Sequence, residues 1–383
     1  MTKLRTPFTA LHGNEIFAVD ATTAQVVVRP TPASGSAANF TTDVARLRFN
    51  GHTTAVEVRG GVGVGQVSGL TPNEDFTIEV LDGDGVLIEE LAGTTPHALE
   101  RPTRIATISD VHLGSEGFGR ISRHRYPDST PYPLVNGRAA VHEAVQWGAQ
   151  AIVIKGDLTD TGARDQWDMA DEMLDGVDVP ILITSGNHDV WGSREVMPDV
   201  GASAIGRDVR DLEVLNLDGV RIVLADTSIP GRGWGDLARH ADRLAEAVAT
   251  PQPVLLCLHH HIQRTPAPWF WPPGIPPKNA MPVMERLTEI NPSIMATSGH
   301  THRNRRHLLL DGRLTFTEVS ATADFPGVWA GYEIGSGVIR QTVRRIASPD
   351  ALEWTEATRT AIVGVWGRWS QGRLDDRCLD VQI

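Results

Sequence analysis

The chain has 383 residues, a hydrophobic fraction of 41% and a formal net charge of −12 at pH 7. An acidic surface repels nucleic-acid backbones and anionic membranes, so no nucleic-acid polymer is expected as a partner. Two cysteines are too few for a disulfide framework, and Cys257 lies inside the apolar run PVLLCL, which predicts a buried free thiol.

The beginning of the chain, MTKLRTPFTALHGNEIF, contains no apolar stretch long enough for a signal peptide. No run in the sequence approaches the ~18 apolar residues of a membrane helix. We therefore expect a soluble, cytoplasmic protein without a membrane partner. The length suggests two or three domains, and a homo-oligomer remains an open alternative.

Residues 1–97 are predicted to form a small all-β domain. Short runs in which apolar and polar residues often alternate are AQVVVRP, ARLRFN, TAVEVRG and FTIEVLDGDGVLIEEL. In the last run Phe76, Ile78 and Val80 would share one face of a strand. The DGDG segment at 82–85 is typical of a hairpin turn.

The segment GLTPNEDFTIEV resembles the fibronectin type III pattern, in which a Leu and a Pro precede an aromatic residue at the start of a strand. Here these residues are Leu70, Pro72 and Phe76. The resemblance implies a β-sandwich without a necessary catalytic role. The segment HALERPTR, residues 97–104, is the expected linker to the rest of the chain.

Residues 98–383 are predicted to form an α/β domain, because apolar strands alternate with amphipathic helical patterns. The segments GRAAVHEAVQWGA and GDLARHADRLAEAVAT are the helix candidates. LTFTEVSA and AGYEIGSGVIRQTVRRI are expected as later strands. A C-terminal helical extension should begin with Ser348 as its cap and Pro349 in its first turn.

Five apolar runs in this region each end in a polar phrase. Polar groups at buried strand ends are costly to desolvate unless something compensates them. In α/β sheets the carboxyl ends of the strands form the binding crevice, so we expect these groups to meet there. The phrases are DVH with Asp110 and His112, GDLTD with Asp157 and Asp160, GNHD with Asn187, His188 and Asp189, HHH with His259, His260 and His261, and GHTH with His300 and His302.

Carboxylate and imidazole groups together suit a pair of divalent ions such as Zn, Mn, Fe or Co. A D-x-H or H-x-H segment in an extended strand directs both side chains to the same face. The glycines before Asp157, Asn187 and His300 let the backbone come close to such ions. Each phrase alone is compatible with an ordinary turn or cap, but five together in this order favour a metal site.

The ordered run D-x-H, G-D, G-N-H-D, H and G-H-x-H resembles the calcineurin-like metallophosphoesterase superfamily over roughly residues 104–345. The resemblance implies a four-layer αββα sandwich with a dinuclear metal site at the strand ends. It also implies attack on phosphorus by a hydroxide held between the two ions.

By position in the motifs, the resemblance assigns seven metal ligands and one further residue. His188 would face the phosphate from outside the metal shell and could donate a hydrogen bond or a proton to the leaving oxygen. Of the three consecutive histidines, His259 is chosen because the family usually uses the first. The implied ligands are Asp110, His112 and His302 for one ion, Asn187, His259 and His300 for the other, and Asp157 bridging both.

Two differences from known subfamilies of this superfamily limit which of them the chain can resemble. Purple acid phosphatases also carry a β-sandwich before the catalytic domain, but they place a metal-ligating Tyr three residues after the bridging Asp, where this chain has Asp160. The segment HHHIQRTPAPWFWPPGIPPKNAMPVMERL is similar to the long loop of class III cyclic nucleotide phosphodiesterases. Those enzymes usually have His-His-Pro where this chain has three histidines, so the substrate is left open.

Two loops are candidates for the pocket wall. The proline-rich segment RTPAPWFWPPGIPPKNAMP, with Trp269, Phe270 and Trp271, is either an ordered lid or a packing loop. The segment GFGRISRHRYPDSTPYP either binds a phosphate or carboxylate or is a solvated basic loop. Its basic residues are Arg120, Arg123, His124 and Arg125.

The function favoured by the sequence is hydrolysis of a small phosphodiester, either a cyclic nucleotide or a glycerol-type diester. A phosphomonoesterase and a non-catalytic scaffold are the alternatives, and the complete ligand set argues against the scaffold. Since every metal motif follows residue 97, residues 1–97 are expected to be removable without loss of all activity.

Overall fold

The structure is a computed structural model that describes residues 13–29, 44–119, 124–126, 129–191, 196–265 and 272–383. The N-terminal part of these residues is all-β. Its seven strands are β1 (Glu15–Val19), β2 (Thr23–Val28), β3 (Val44–Phe49), β4 (His52–Glu57), β5 (Gly63–Ser68), β6 (Asp75–Leu81) and β7 (Leu87–Thr94).

These strands form two antiparallel sheets, of order β1-β2-β5 and β4-β3-β6-β7. Phe76, Ile78 and Val80 of β6 are buried, as the alternation predicts, and pack with Leu47 between the sheets. The predicted hairpin joins β6 to β7, where the Gly85 N–H donates to the Asp82 carbonyl at 3.1 Å. The N-terminal β-sandwich is therefore as expected.

The rest of the chain contains two further sheets of six strands each, which carry a mixture of parallel and antiparallel pairs. The first consists of β8 (Thr103–Ile108), β11 (Ala151–Lys155), β12 (Ile181–Thr184), β19 (Val328–Gly335), β20 (Val338–Arg345) and β21 (Cys378–Gln382). Its strand order is β12-β11-β8-β19-β20-β21. The second consists of β13 (Leu212–Leu217), β14 (Val220–Ala225), β15 (Val254–Leu258), β16 (Ile294–Ser298), β17 (Arg305–Leu309) and β18 (Leu314–Glu318). Its strand order is β13-β14-β15-β16-β18-β17. A short pair, β9 (Gly117–Phe118) and β10 (His124–Arg125), lies outside both.

The two six-stranded sheets pack against each other and are covered by helices on their outer faces. Along β11, Val153 points into the core between the sheets, whereas Ile152 packs against helices. Along β15, Cys257 points into the same inter-sheet core and Leu256 packs outward. Both faces of these strands are buried, which explains their continuous apolar sequence. The predicted four-layer αββα sandwich is confirmed, and Cys257 is a buried free thiol.

The helices are α1 (Tyr132–Gln146), α2 (Arg164–Leu174), α3 (Pro198–Ala204), α4 (Ala241–Val248), α5 (Pro277–Ile290), α6 (Pro349–Thr358), α7 (Val365–Gln371) and α8 (Leu374–Arg377). Buried residues of α1, α2 and α3 cover the first sheet, and those of α4 and α5 cover the second. Within the described ranges, no helix combines the length and apolar character needed to cross a bilayer.

The C-terminal extension differs from the single helix that its sequence suggests. Helix α6 ends at Thr358, and α7 starts at Val365 after a turn in which Ile362, Val363 and Gly364 all have positive φ. Ser348 occupies the predicted cap position of α6, but its side chain makes no capping hydrogen bond. The turn lets α7 fold back toward the sheets, which a continuous helix would not allow.

The N-terminal sheets pack directly on the first six-stranded sheet. Phe17 and Val27 share an apolar core with Tyr332 and Val343. Arg29 is buried and donates from Nε to the Glu356 carboxylate of α6 at 2.9 Å. This contact is extensive and partly ionic, so the division at residue 97 stays a prediction about folding units.

Candidate metal centre

The five polar phrases meet at one edge of the αββα sandwich. Strands β8, β11 and β12 run parallel in the first sheet, and β15 and β16 run parallel in the second. The carboxyl ends of parallel strands lie at the same edge of a sheet, so each strand delivers its polar phrase to the same crevice. All seven residues implied as ligands are brought together there.

The first donor group consists of Asp110, His112 and His302, whose ligand atoms all lie within 4.8 Å of one another. The Nε2 atoms of His112 and His302 are 3.3 Å apart. His302 Nε2 is also 3.4 Å from Asp110 Oδ1. Two imidazole nitrogens and a carboxylate oxygen that face one point are donors suited to a transition-metal ion.

The second donor group is built around His259. Its Nδ1 donates to the Lys155 carbonyl at 2.8 Å, so Nε2 is the ring nitrogen that faces the site, 3.1 Å from Asn187 Oδ1. His300 donates from Nε2 to the Pro273 carbonyl at 3.0 Å, so its Nδ1 carries the free lone pair. Since carbonyl oxygens only accept hydrogen bonds, these contacts identify the ring nitrogen of each histidine that faces the site.

Asp157 lies between the two groups. Its Oδ2 is 3.4 Å from His259 Nε2 and 3.8 Å from His112 Nε2. Its Oδ1 accepts a hydrogen bond from the His188 backbone N–H at 2.8 Å. One carboxylate oxygen therefore faces donors of both groups, which is the position expected of a bridging ligand.

The run of three histidines contributes more than one residue to the site. The ligand atoms of His259, His260 and His300 lie within 4.8 Å of one another. However, His260 bonds through Nδ1 to Thr227 Oγ1, and only His259 has a ring nitrogen beside both Asn187 and Asp157. Position in the fold thus favours His259, the histidine chosen from the sequence.

The backbone at the site is strained. Five of the seven implied ligands have left-handed φ values, a conformation that few non-glycine residues adopt and that concentrates at functional sites. Backbone hydrogen bonds hold it in place, for example from Asp110 N–H to the Gly156 carbonyl at 3.1 Å. The five residues and their φ values are Asp110 (55°), His112 (54°), Asp157 (48°), His300 (67°) and His302 (50°).

The glycines that precede the polar phrases permit close approach, as the sequence suggests. A Cβ atom on Gly186 would lie 2.1 Å from Asp157 Oδ1, and one on Gly299 would lie 2.4 Å from Asp110 Oδ2. Any side chain at these two positions would therefore displace a carboxylate of the site.

The carboxylates of the site are buried among imidazoles. Asp110 and Asp157 are 0% and 2% exposed. Burial would raise the pKa of Asp110, but the nearby His302 outweighs this effect and holds that pKa well below its usual range. Burial would likewise lower the pKa of His259, yet Asp157 raises it to about 9. Buried carboxylates that attract this much positive charge fit a site for divalent cations.

His188 lies beside the donor groups and is more open than they are. Its side chain is 33% exposed, whereas that of His259 is 0% exposed. Burial works against its charged form, but Asp157 and then Asp160 raise the pKa of His188 to about 9. Its ligand atom also lies within 4.8 Å of those of His112 and Asp157, so distance alone does not exclude it from a metal shell.

The sequence places Asp160 and Asp189 in the crevice but assigns neither of them a function there. Asp160 places Oδ1 3.4 Å from His112 Nδ1 and 3.3 Å from His188 Nδ1, so it links a donor group to His188. Asp189 accepts hydrogen bonds from Thr159 and from the Gly186 N–H, and it ties two polar phrases together. The sequence signal for both residues is their place in GDLTD and GNHD, two phrases that also contain implied ligands.

The two candidate pocket loops are only partly described. Arg120, Arg123 and the run 269–271 lie outside the described residues. His124 is half-buried in β10, and Arg125 beside it is exposed. The proposed role of these loops therefore stays a prediction.

Comparison with known proteins identifies a family. The model of the calcineurin-like phosphoesterase family matches residues 103–304, more than half of the chain. A probable cyclic nucleotide phosphodiesterase of Rhodococcus erythropolis is 32% identical over 169 residues, which is 40% of this chain and 50% of that protein.

Two further relatives match shorter or more divergent regions. A cAMP/cGMP dual specificity phosphodiesterase of Mycobacterium tuberculosis is 34% identical over 118 residues, 29% of this chain and 36% of that protein. A probable glycerophosphodiester phosphodiesterase of Arcobacter nitrofigilis is 23% identical over 172 residues, 41% of this chain and 56% of that protein. The chain thus spans about half the length, or less, of these curated relatives.

Proposed function

The chain belongs to the calcineurin-like phosphoesterase family, and from this membership we propose that it hydrolyses phosphoric esters with the help of two divalent metal ions. The observation that carries the proposal is the position of Asp157, whose Oδ2 faces His112 of one donor group and His259 of the other. A carboxylate shared between two donor groups is the arrangement by which proteins hold paired ions.

The proposed donors match the chemistry of Mn, Fe, Zn or Co, which accept both imidazole and carboxylate ligands. Bound ions would supply positive charge to the phosphoryl oxygens and lower the pKa of water. The proposed sets are Asp110, His112 and His302 for one ion, Asn187, His259 and His300 for the other, and Asp157 for both.

His188 is proposed as the proton donor to the leaving oxygen. Its backbone N–H is bonded to Asp157 and its Nδ1 is bonded to the Asp160 carbonyl, so the ring is fixed beside the proposed bridging carboxylate. The free Nε2 lies on a side chain that is one-third exposed and can therefore meet a substrate. General acid help of this kind accelerates reactions by about 10²–10⁴-fold.

The proposed substrate is a small phosphodiester, of the cyclic nucleotide or glycerol type. The names of the relatives support diester chemistry. The formal charge of −12 weighs against long nucleic acids, because their phosphates would meet an acidic surface.

A substrate panel tests this proposal. Metal-free protein would receive Mn²⁺, Zn²⁺, Co²⁺ or Fe²⁺ and then a cyclic nucleotide, a glycerophosphodiester or a phosphomonoester, with Asp157→Asn as the control. We expect at least one metal to produce diester hydrolysis that the control lacks. Hydrolysis of monoesters alone would assign a phosphomonoesterase, and no metal-dependent turnover of any ester would contradict the proposed function.

A further inference from the structure

Three successive residues at one side of the metal centre are held by the C-terminal helices. The Trp354 indole N–H donates to the carbonyl of Ala323 at 2.9 Å. The Trp366 indole N–H donates to Asp324 Oδ1 at 2.9 Å. The backbone N–H of Phe325 donates to Thr358 Oγ1 at 2.9 Å. Helices α6 and α7 therefore hold the segment 323–325 at three consecutive positions.

The middle residue of this segment contacts the metal centre. Asp324 Oδ2 lies 2.6 Å from Nδ1 of His302, and the side chain of Asp324 is 1% exposed. An ionised carboxylate only accepts hydrogen bonds, so the contact places the proton of His302 on Nδ1. Nε2 is then the ring nitrogen on the side that faces Asp110 and His112.

We propose that Asp324 is the positioning residue for His302, and that the C-terminal extension (residues 349–371) is part of the metal centre because its Trp366 holds the other oxygen of Asp324. The proposal rests on the metal site of the proposed function. Both residues lie outside the stretch 103–304 that matches the family. Outer hydrogen-bond partners of this kind orient a ligating imidazole and raise its basicity.

The geometry around Trp366 supports a specific role. Its ring packs edge-on against His302, with centroids 6.0 Å apart, and it lies 4.8 Å from the ring of Phe118. Trp366 is 5% exposed, so its N–H has no alternative partner in bulk water. Loss of this donor would leave one oxygen of a buried carboxylate without its partner, and the carboxylate would be free to turn away from His302.

The first experiment compares two tryptophans that make the same kind of bond. Trp366→Phe removes an indole donor to Asp324, and the control Trp329→Phe removes an indole donor to Glu143, a 3.0 Å bond to a carboxylate outside the donor groups. The affinity of metal-free protein for Zn²⁺ and Mn²⁺ would be measured by calorimetric titration, together with the Tm. We expect Trp366→Phe to weaken one binding event by about 10-fold and Trp329→Phe to leave both unchanged.

The second experiment tests whether Trp366 acts through Asp324. Asp324→Asn should weaken the same binding event by ~10–100-fold. The amide N–H₂ group of Asn would face either the His302 Nδ1–H or the Trp366 indole N–H, and two donors cannot form a hydrogen bond. The double variant Asp324→Asn with Trp366→Phe should be no weaker than Asp324→Asn alone. Additive losses would mean that Trp366 acts only on packing, and would overturn that part of the inference.

The outcomes separate this inference from the proposed function. If the wild-type protein binds two ions and the variants Asp324→Asn and Trp366→Phe bind them with the same affinity, Asp324 and Trp366 have no positioning role. If the wild-type protein binds no ion at all, the proposed function fails and the inference falls with it. A Tm loss shared by Trp366→Phe and Trp329→Phe, with a metal defect in neither, would also overturn the inference.

Discussion

The Nδ1 atom of His188 lies 3.0 Å from the backbone carbonyl oxygen of Asp160. A carbonyl oxygen cannot donate, so Nδ1 carries a proton in this contact and Nε2 is the atom left for other chemistry. The neighbouring residue Asn187 directs its Oδ1 toward His259. Adjacent residues of one phrase thus face different partners, which predicts different functions for them.

We expect His188→Ala to retain both metal ions and to slow hydrolysis of esters with alkoxide leaving groups by roughly 10²–10⁴-fold. Hydrolysis of nitrophenol esters should be slowed less, because the nitrophenol oxygen leaves without much protonation. The measurement is kcat/KM for both ester types beside the metal content. Equal losses with metals retained would make His188 a phosphate-positioning residue, and loss of metal would place it in the metal shell.

Two metal ions per chain are expected, and Asp157→Asn should weaken the binding of both, by at least ~10-fold. The reason is that one oxygen of Asp157 faces both donor groups. Elemental analysis of protein purified without chelator, followed by metal titration of the variant, provides the measurement. Less than one equivalent in the wild type, with no gain on adding Mn²⁺ or Zn²⁺, would contradict the prediction.

Iron-loaded protein should show no tyrosinate charge-transfer band in its visible spectrum. Asp160 occupies the position three residues after Asp157, and Tyr332 is buried with its hydroxyl bonded to Thr297. Burial, followed by the nearby charges of Asp160 and Asp324, raises the pKa of Tyr126. A strong band that disappears when one of the three tyrosines is changed to Phe would show that the prediction is wrong.

The metal centre could be predicted from the sequence because its signals are local. Each phrase follows the end of its strand, as Asp157 follows β11, so the order of the parallel strands brings the phrases to one crevice. The extended geometry expected of D-x-H and H-x-H is wrong, because these residues lie beyond the strand ends and have left-handed φ values. The contacts of Asp160 and Asp324 with histidines could not be predicted in this way. They depend on how separate segments pack, and an isolated Asp in a loop has the same sequence signature as a turn residue.

The C-terminal extension illustrates the same limit. Its helical start at Pro349 follows from local sequence signals, but the break before α7 depends on tertiary packing. Trp366 must leave the axis of α6 to reach Asp324, and the positive φ angles at Ile362 and Val363 make the necessary turn. β-branched residues are a poor sequence signal for such a conformation.

Removal of residues 1–97 is expected to destabilise the remaining chain, while the position of the motifs still predicts that some activity is retained. Gln25 bonds to both the N–H and the carbonyl of Arg345, and Arg29 pairs with Glu356. Without these partners, buried polar groups would lose their hydrogen bonds. Thermal unfolding and metal content of residues 98–383 provide the measurement. A truncated protein with the wild-type Tm and full metal content would contradict this expectation.

Glu356 should make stability depend on pH in the acidic range. Burial would raise its pKa, but Arg345 and Arg29 outweigh burial and hold that pKa well below the usual value. A carboxylate with a lowered pKa stabilises the fold above its unfolded pKa of about 4.3, and this stabilisation is lost as the pH falls toward the folded pKa. At pH 7 Glu356→Gln should lower the free energy of unfolding by ~3–5 kcal/mol, because two buried guanidinium groups lose their counter-charge.

The difference in Tm between wild type and Glu356→Gln should shrink steadily below about pH 4. Glu353→Gln, an exposed change on the same helix, is the control and should show no such difference at any pH. A gap between wild type and Glu356→Gln that stays constant from pH 7 to pH 3 would mean that the ionic contacts of Glu356 do not stabilise the interface.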